Sequence, residues 1–179
     1  MLSYRILAPG RRSEDPLRLA AEAYAGRLNR YAKVELVRLK ESDSAGEAQA
    51  MLAALSPKDY VIALDERGLN LSTQELHDAL LTYNGQNLGR IAFLIGGADG
   101  LGAAAKKRAQ ATWSLSRLTL PHRAAQMLLI EQLYRAHTMM RGEKYHRARG
   151  PEGPQAAGKP SLTGSWRCSS PRSARWQSW

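Results

Sequence analysis

Three segments of this 179-residue chain combine glycines, hydroxyls and charges behind apolar runs, where backbone and side chains could hold a ligand. They are Leu64-Asp65-Glu66-Arg67-Gly68, Ile95-Gly96-Gly97-Ala98-Asp99-Gly100, and Leu115-Ser116-Arg117-Leu118-Thr119-Leu120-Pro121-His122. Irregular backbone at the carboxyl end of a strand is where open α/β sheets receive their ligands. Taken alone, the glycine segment has an ordinary explanation as the turn from a strand into a helix. It lacks the Lys-Ser/Thr pair of a phosphate-binding P-loop and misses the G-x-G-x-x-G spacing of a dinucleotide turn. A nucleotide-dependent enzyme with a phosphate cradle is therefore the weakest functional reading.

The elements around these segments alternate in type. Residues 2–8 read as a strand closed by Pro9-Gly10, and apolar residues Leu17, Ala20, Tyr24, Leu28 and Tyr31 lie three or four apart, as on one helix face. Further strands are expected at 34–39, 60–64, 91–95 and 113–118. Helices are expected at 44–55, 72–83, 103–111 and 123–141, the second opened by the capping-box pair Ser72 and Glu75. Short, continuously apolar strands alternating with helices predict an α/β fold with a mostly parallel sheet flanked by helices.

The bulk composition narrows the function. The formal charge is +10 with a sequence pI of about 10.1, which favours a polyanionic partner because each neutralised phosphate releases counterions. No apolar run approaches the roughly 20 residues needed to cross a bilayer, and no secretory signal opens the chain, so a cytoplasmic location without membrane attachment is expected. The single cysteine, Cys168, allows no intramolecular disulfide, and no metal site is expected. One domain is expected over residues 1–149. Residues 151–179 hold four of the eight prolines and three of the four tryptophans without periodicity, and read as a disordered extension. Within it, Trp166, Trp176 and Trp179 interleave with Arg167, Arg172 and Arg175, a pattern able to stack on bases. The extension carries four basic residues and one acidic, so 22 basic and 15 acidic residues keep residues 1–150 basic as well.

In this order, Leu64-Asp65-x-x-Gly68, Ser72, Ile95-Gly96-Gly97-x-x-Gly100-Leu101, Trp113-Ser114-Leu115-Ser116-x-Leu118-Thr119-Leu120-Pro121-His122, Ile130 to Ala136 and Tyr145-His146-Arg147 resemble the RlmH family of SPOUT methyltransferases. The resemblance covers residues 1 to about 149. It implies a C-terminal trefoil knot, an exception to unthreaded connections that no strand pattern could reveal. It also implies S-adenosylmethionine as cofactor, a pseudouridine N3 of 23S rRNA on the ribosome as acceptor, and a homodimer whose subunits complete each other's sites.

By position, the resemblance places the cofactor against Leu64, Gly96, Gly97, Leu115, Ser116, Arg117, Leu118, Thr119 and Leu120. The glycines would let backbone approach the ligand and the leucines would form an apolar slot, whereas the residues by themselves favour core packing for Leu115, Leu118 and Leu120, an order that only the resemblance reverses. Tyr145, His146, Arg147 and Arg135 form the candidate catalytic group, with His122, Arg123 and Lys144 as RNA contacts. His146 is the side chain suited to proton handling near neutral pH, while the arginines could hold phosphate or an anionic base. His122 could instead cap the last helix, and Arg135 could be a charge on its solvated face. Met127, Ile130 and Tyr134 fit either a dimer interface or the monomer's own core. A catalytically silent RNA-binding or ribosome-assembly protein with the same fold would show the same charge, and cofactor titration separates the two.

Overall fold

A computed structural model describes residues 2–10, 15–86 and 88–145. His146, Arg147 and the extension expected at 150–179 lie outside the described residues. In chain order the elements are β1 (Ser3–Pro9), α1 (Pro16–Leu28), β2 (Lys33–Leu39), α2 (Ser44–Ala54), β3 (Tyr60–Asn70), α3 (Thr73–Gly85), β4 (Arg90–Ile95), α4 (Ala103–Arg108), β5 (Ala111–Ser114) and α5 (His122–Met140). The strands form one sheet in the order β2-β1-β4-β3-β5, and every pairing is parallel.

Strand alternation sorts the core into two layers, because successive side chains leave a strand on opposite faces. Ile6, Ile62, Ile91 and Phe93 pack with α1, α3 and α5, whereas Leu7, Val61, Ala63, Ala92 and Leu94 pack with α2 and α4. The second layer is thin, since its helices offer Ala48, Met51 and Ala105. The expected parallel α/β architecture is therefore what the chain adopts, and it is consistent with the trefoil threading.

Details differ where side chains compete with pattern. In α1 the buried stripe is Ala21, Ala25 and Leu28, followed by Ala32, while Tyr24 and Tyr31 sit at its rim against Tyr134 of α5. Small residues let α1 and α5 come close, so the larger tyrosines move to the margin. Ile130 is fully buried and Met127 and Tyr134 pack beside it, which assigns them to the chain's own core. Strand β5 ends at Ser114, short of the expected 118, because Ser114 Oγ donates to the Ser116 carbonyl at 2.7 Å and Leu118 N donates to Ser116 Oγ at 3.0 Å, turning the chain out of the sheet. Strand β3 runs past Leu64 to Asn70, with a register break between Leu64 and Leu69 where both face Trp113. The Ser72–Glu75 capping box forms as expected.

Helix α5 is pinned to the sheet by a buried polar contact. His137 Nε2 lies 2.8 Å from the Tyr4 hydroxyl, both residues are buried, and Tyr31 stacks on the imidazole. Burial, and then the charge of Arg141, pull the His137 pKa down to about 4, so the imidazole is neutral and accepts the Tyr4 proton. In the unfolded chain this histidine titrates near 6.5. As pH falls from 6.5 towards 4, the unfolded state gains a proton that the folded state refuses, and stability must drop. Urea unfolding midpoints should fall between pH 6.5 and 5, above the range of ordinary carboxylates, and His137→Gln should flatten that decline.

Candidate functional site

Parallel pairing brings the carboxyl ends of β3, β4 and β5 to one edge of the sheet, and the loops leaving them border a cleft of about 740 Å³. Leu64, Gly96, Gly97, Leu115, Ser116, Leu118, Thr119, Leu120 and His122 all line it. Arg117 is exposed and is not part of the lining. Leu115 is half-buried against the core, but Leu118 is 74% exposed, so packing does not account for it.

The loops are tied across the cleft. Thr119 Oγ1 donates to Glu66 Oε2 at 3.3 Å, joining the segment after β5 to the one after Leu64. Asp65 pairs with Lys106 Nζ of α4 at 2.6 Å, and this ammonium, followed by the Arg67 amide, holds the Asp65 carboxyl below the usual carboxylate range. Asp65, Glu66 and Asp99 thus give part of the wall acidic character, with Arg67 and Lys106 beside them.

The glycines are also required by the protein's own packing. A Cβ on Gly96 would overlap the Gly100 carbonyl carbon, and one on Gly97 would lie 2.8 Å from both carboxylate oxygens of Glu47. Their missing side chains make room for the protein's own chain, which folds the loop back on itself and onto α2.

His122 opens α5 and makes no capping hydrogen bond, so the capping alternative falls. Its Nε2 is buried beside the cleft and has no hydrogen-bond partner among the described residues. Arg123 is held by Asp15, the N-cap of α1, at 2.6 Å.

Of the candidate catalytic residues, the described Arg135 and Tyr145 do not gather with these groups within the chain. Arg135 follows His122 by thirteen positions on one helix, which is about 20 Å at 1.5 Å per residue. There it forms a compact cluster. Its guanidinium lies 5.1 Å from the Tyr145 ring centre and bonds Glu131 Oε1 at 2.6 Å, and the Tyr145 hydroxyl donates to the same oxygen at 3.1 Å. Burial first, then the hydrogen bond with Tyr24 and the Glu131 charge, raise the Tyr145 pKa, so this phenol stays protonated and acts as a donor. Arg135 is neither free nor merely solvated, because Glu131 is buried beneath it. Lys144 is exposed beside the cluster in sequence.

Known proteins match both the sequence and the fold. The family model described as "Predicted SPOUT methyltransferase" matches residues 2–146. The chain belongs to the SPOUT methyltransferases. Its similar sequences include the ribosomal RNA large subunit methyltransferase H of Anaeromyxobacter sp. (strain Fw109-5), 44% identical over 153 residues that span 80% of this chain and 98% of that protein. The protein of the same name from Polynucleobacter asymbioticus is 42% identical, covering 79% of this chain and 97% of that one. Among solved structures, a probable methyltransferase from Bordetella pertussis Tohama I shares the fold with a TM-score of 0.50 at 16% identity, covering 76% of this chain and 95% of that one.

In this SPOUT methyltransferase two buried glutamates escaped the sequence reading. Glu131 stood inside a quoted motif without a role, and Glu47 was a lone acid in an alanine-rich helix. An ionisable residue on a face otherwise spaced for burial was the available signal. Gly96→Ala should force the turn open, lowering stability by about 1–3 kcal/mol and speeding amide exchange at Leu101, as read by thermal melting and hydrogen exchange.

Proposed function

We propose that this chain transfers the methyl group of S-adenosylmethionine to N3 of a pseudouridine in 23S rRNA on assembled ribosomes, working in the cytoplasm as a homodimer. The observation that carries the reading is the convergence of three strand-end loops on one cleft in a chain of the SPOUT methyltransferase family. The names of its relatives supply the ribosomal RNA of the large subunit.

The cleft residues fit the cofactor. Leu64, Leu115, Leu118 and Leu120 offer an apolar slot for a purine, and the main chain around Gly96 and Ser116 offers donors and acceptors for its edge. Asp65, Glu66 and Asp99 suit a cation, and the Nε2 of His122, without a partner among the described residues, is a polar group in the wall that a ligand could satisfy. When bound, the cofactor supplies a methyl group already activated by its sulfonium. The protein's task is then alignment of the acceptor nitrogen and removal of its proton.

That second task falls to the Arg135–Tyr145 cluster with His146 and Arg147. Arg135, buttressed by Glu131, presents positive charge to a phosphate or to the anionic base, and His146 is the residue assigned to take the proton. About 20 Å along α5 separates this cluster from its own cleft, which supports a dimer in which each subunit's cluster serves the partner's cofactor.

Purified protein should transfer labelled methyl to 23S rRNA in ribosomes lacking the modification, and not to ribosomes already carrying it. Arg135→Ala should lower kcat/KM for ribosomes about 100-fold while leaving cofactor affinity near wild type. A protein that binds ribosomes but neither binds nor uses the cofactor would instead be a silent RNA-binding relative, and the proposal would be withdrawn.

A further inference from the structure

The loop that ends β4 is gripped from behind by α2. At its near end Glu47 Oε2 accepts the Gly97 amide at 3.1 Å, and Glu47 Oε1 lies 3.4 Å from the Ser42 amide. At its far end a Cβ on Gly102 would overlap the Ser44 carbonyl oxygen and lie 2.9 Å from Ala48 Cβ. One helix therefore holds both ends of the turn that lines the cleft, and only the contact at Glu47 is charged and directional.

Packing alone does not explain this carboxylate. Glu47 is 5% exposed on a helix whose other buried residues are Ala48 and Met51, and desolvating a charge is costly unless hydrogen bonds replace the lost water. An apolar side chain would fill the same space more favourably. What the carboxylate adds is two acceptors aimed at main-chain amides, one of them in the cleft wall. The approach is possible only because residue 97 is glycine, since an added Cβ would stand 2.8 Å from both carboxylate oxygens. Glu47 also sets a negative charge directly behind the wall of a cleft read as the site of a cationic donor.

We propose that Glu47 is a positioning residue for cofactor binding: it fixes the Gly97 amide so that the Gly96–Gly100 turn is already in its ligand-ready shape. This rests on the cleft being the S-adenosylmethionine site. Glu47 does not touch the reacting atoms, so its loss weakens binding of the donor and leaves turnover at saturation intact. Glu47 and Gly97 act as one unit, because each permits the conformation of the other.

The test is calorimetric titration of the full-length chain with S-adenosylmethionine, alongside steady-state kinetics on unmodified ribosomes. Glu47→Ala should raise the cofactor Kd and KM about 20-fold with kcat within about twofold of wild type. Glu47→Gln, which keeps the size and one acceptor, should raise Kd about fivefold, and it carries the test if the alanine variant does not fold. Gly97→Ala should weaken binding about 20-fold, but Gly97→Ala with Glu47→Ala should fall well short of the multiplied effect, since removing the carboxylate clears space for the new Cβ. A Kd within twofold of wild type in either folded Glu47 variant, or a double variant whose losses simply multiply, overturns the proposal. If the wild-type chain itself does not bind S-adenosylmethionine, the reading of the cleft fails first and this inference falls with it.

Discussion

Parallel pairing of all five strands is the constraint on which this molecule depends. It sends every strand-to-helix loop out at the same edge, so segments some thirty and fifty residues apart in sequence meet there, and side-chain contacts such as Thr119–Glu66 then tie them. It also requires a crossover after each strand, which puts helices on both faces and buries the strands on two sides. The two faces are not equivalent. The α1–α3–α5 face carries the bulky aromatic core, and the thinner alanine-lined face lets α2 come close enough for a side chain to reach the loop at the sheet edge.

A strongly basic protein uses its few buried acids as anchors. Glu47 holds main chain at the cleft, and Glu131 holds Arg135 and Tyr145 at the far end of α5. In both places the carboxylate fixes the orientation of a donor, an amide in one case and a guanidinium with a phenol in the other. Buried carboxylates with several donors are rigid because losing any one partner leaves charge unsatisfied in a poor solvent. The neutral His137–Tyr4 contact fixes α5 to β1 without adding charge.

The sheet, its helices and the three loops were legible in the sequence because each rests on a local signal: apolar runs for β1, β3 and β4, a capping box for α3, glycines behind Ile95. What escaped depends on partners distant in the chain. The end of β5 is set by the hydroxyls of Ser114 and Ser116, and apolar pattern alone carries Leu115 and Leu118 on as strand. The stripe on α1 is displaced onto alanines by the nearness of α5, which no periodicity within α1 encodes. Gly96 and Gly97 were visible as special, but their contacts with Gly100 and Glu47, which depend on chain folding back and on α2, were not. Within one chain His122 and Arg135 stand apart because thirteen positions along a helix become about 20 Å.

Helix α5 begins at the cleft and carries Arg135 near its other end. A straight helix of this kind is a measuring rod. Each inserted or deleted residue would shift the two ends by about 1.5 Å and turn them about 100° relative to one another. The number of residues between His122 and Arg135 therefore sets both the spacing and the relative bearing of the cleft and the Arg135 cluster.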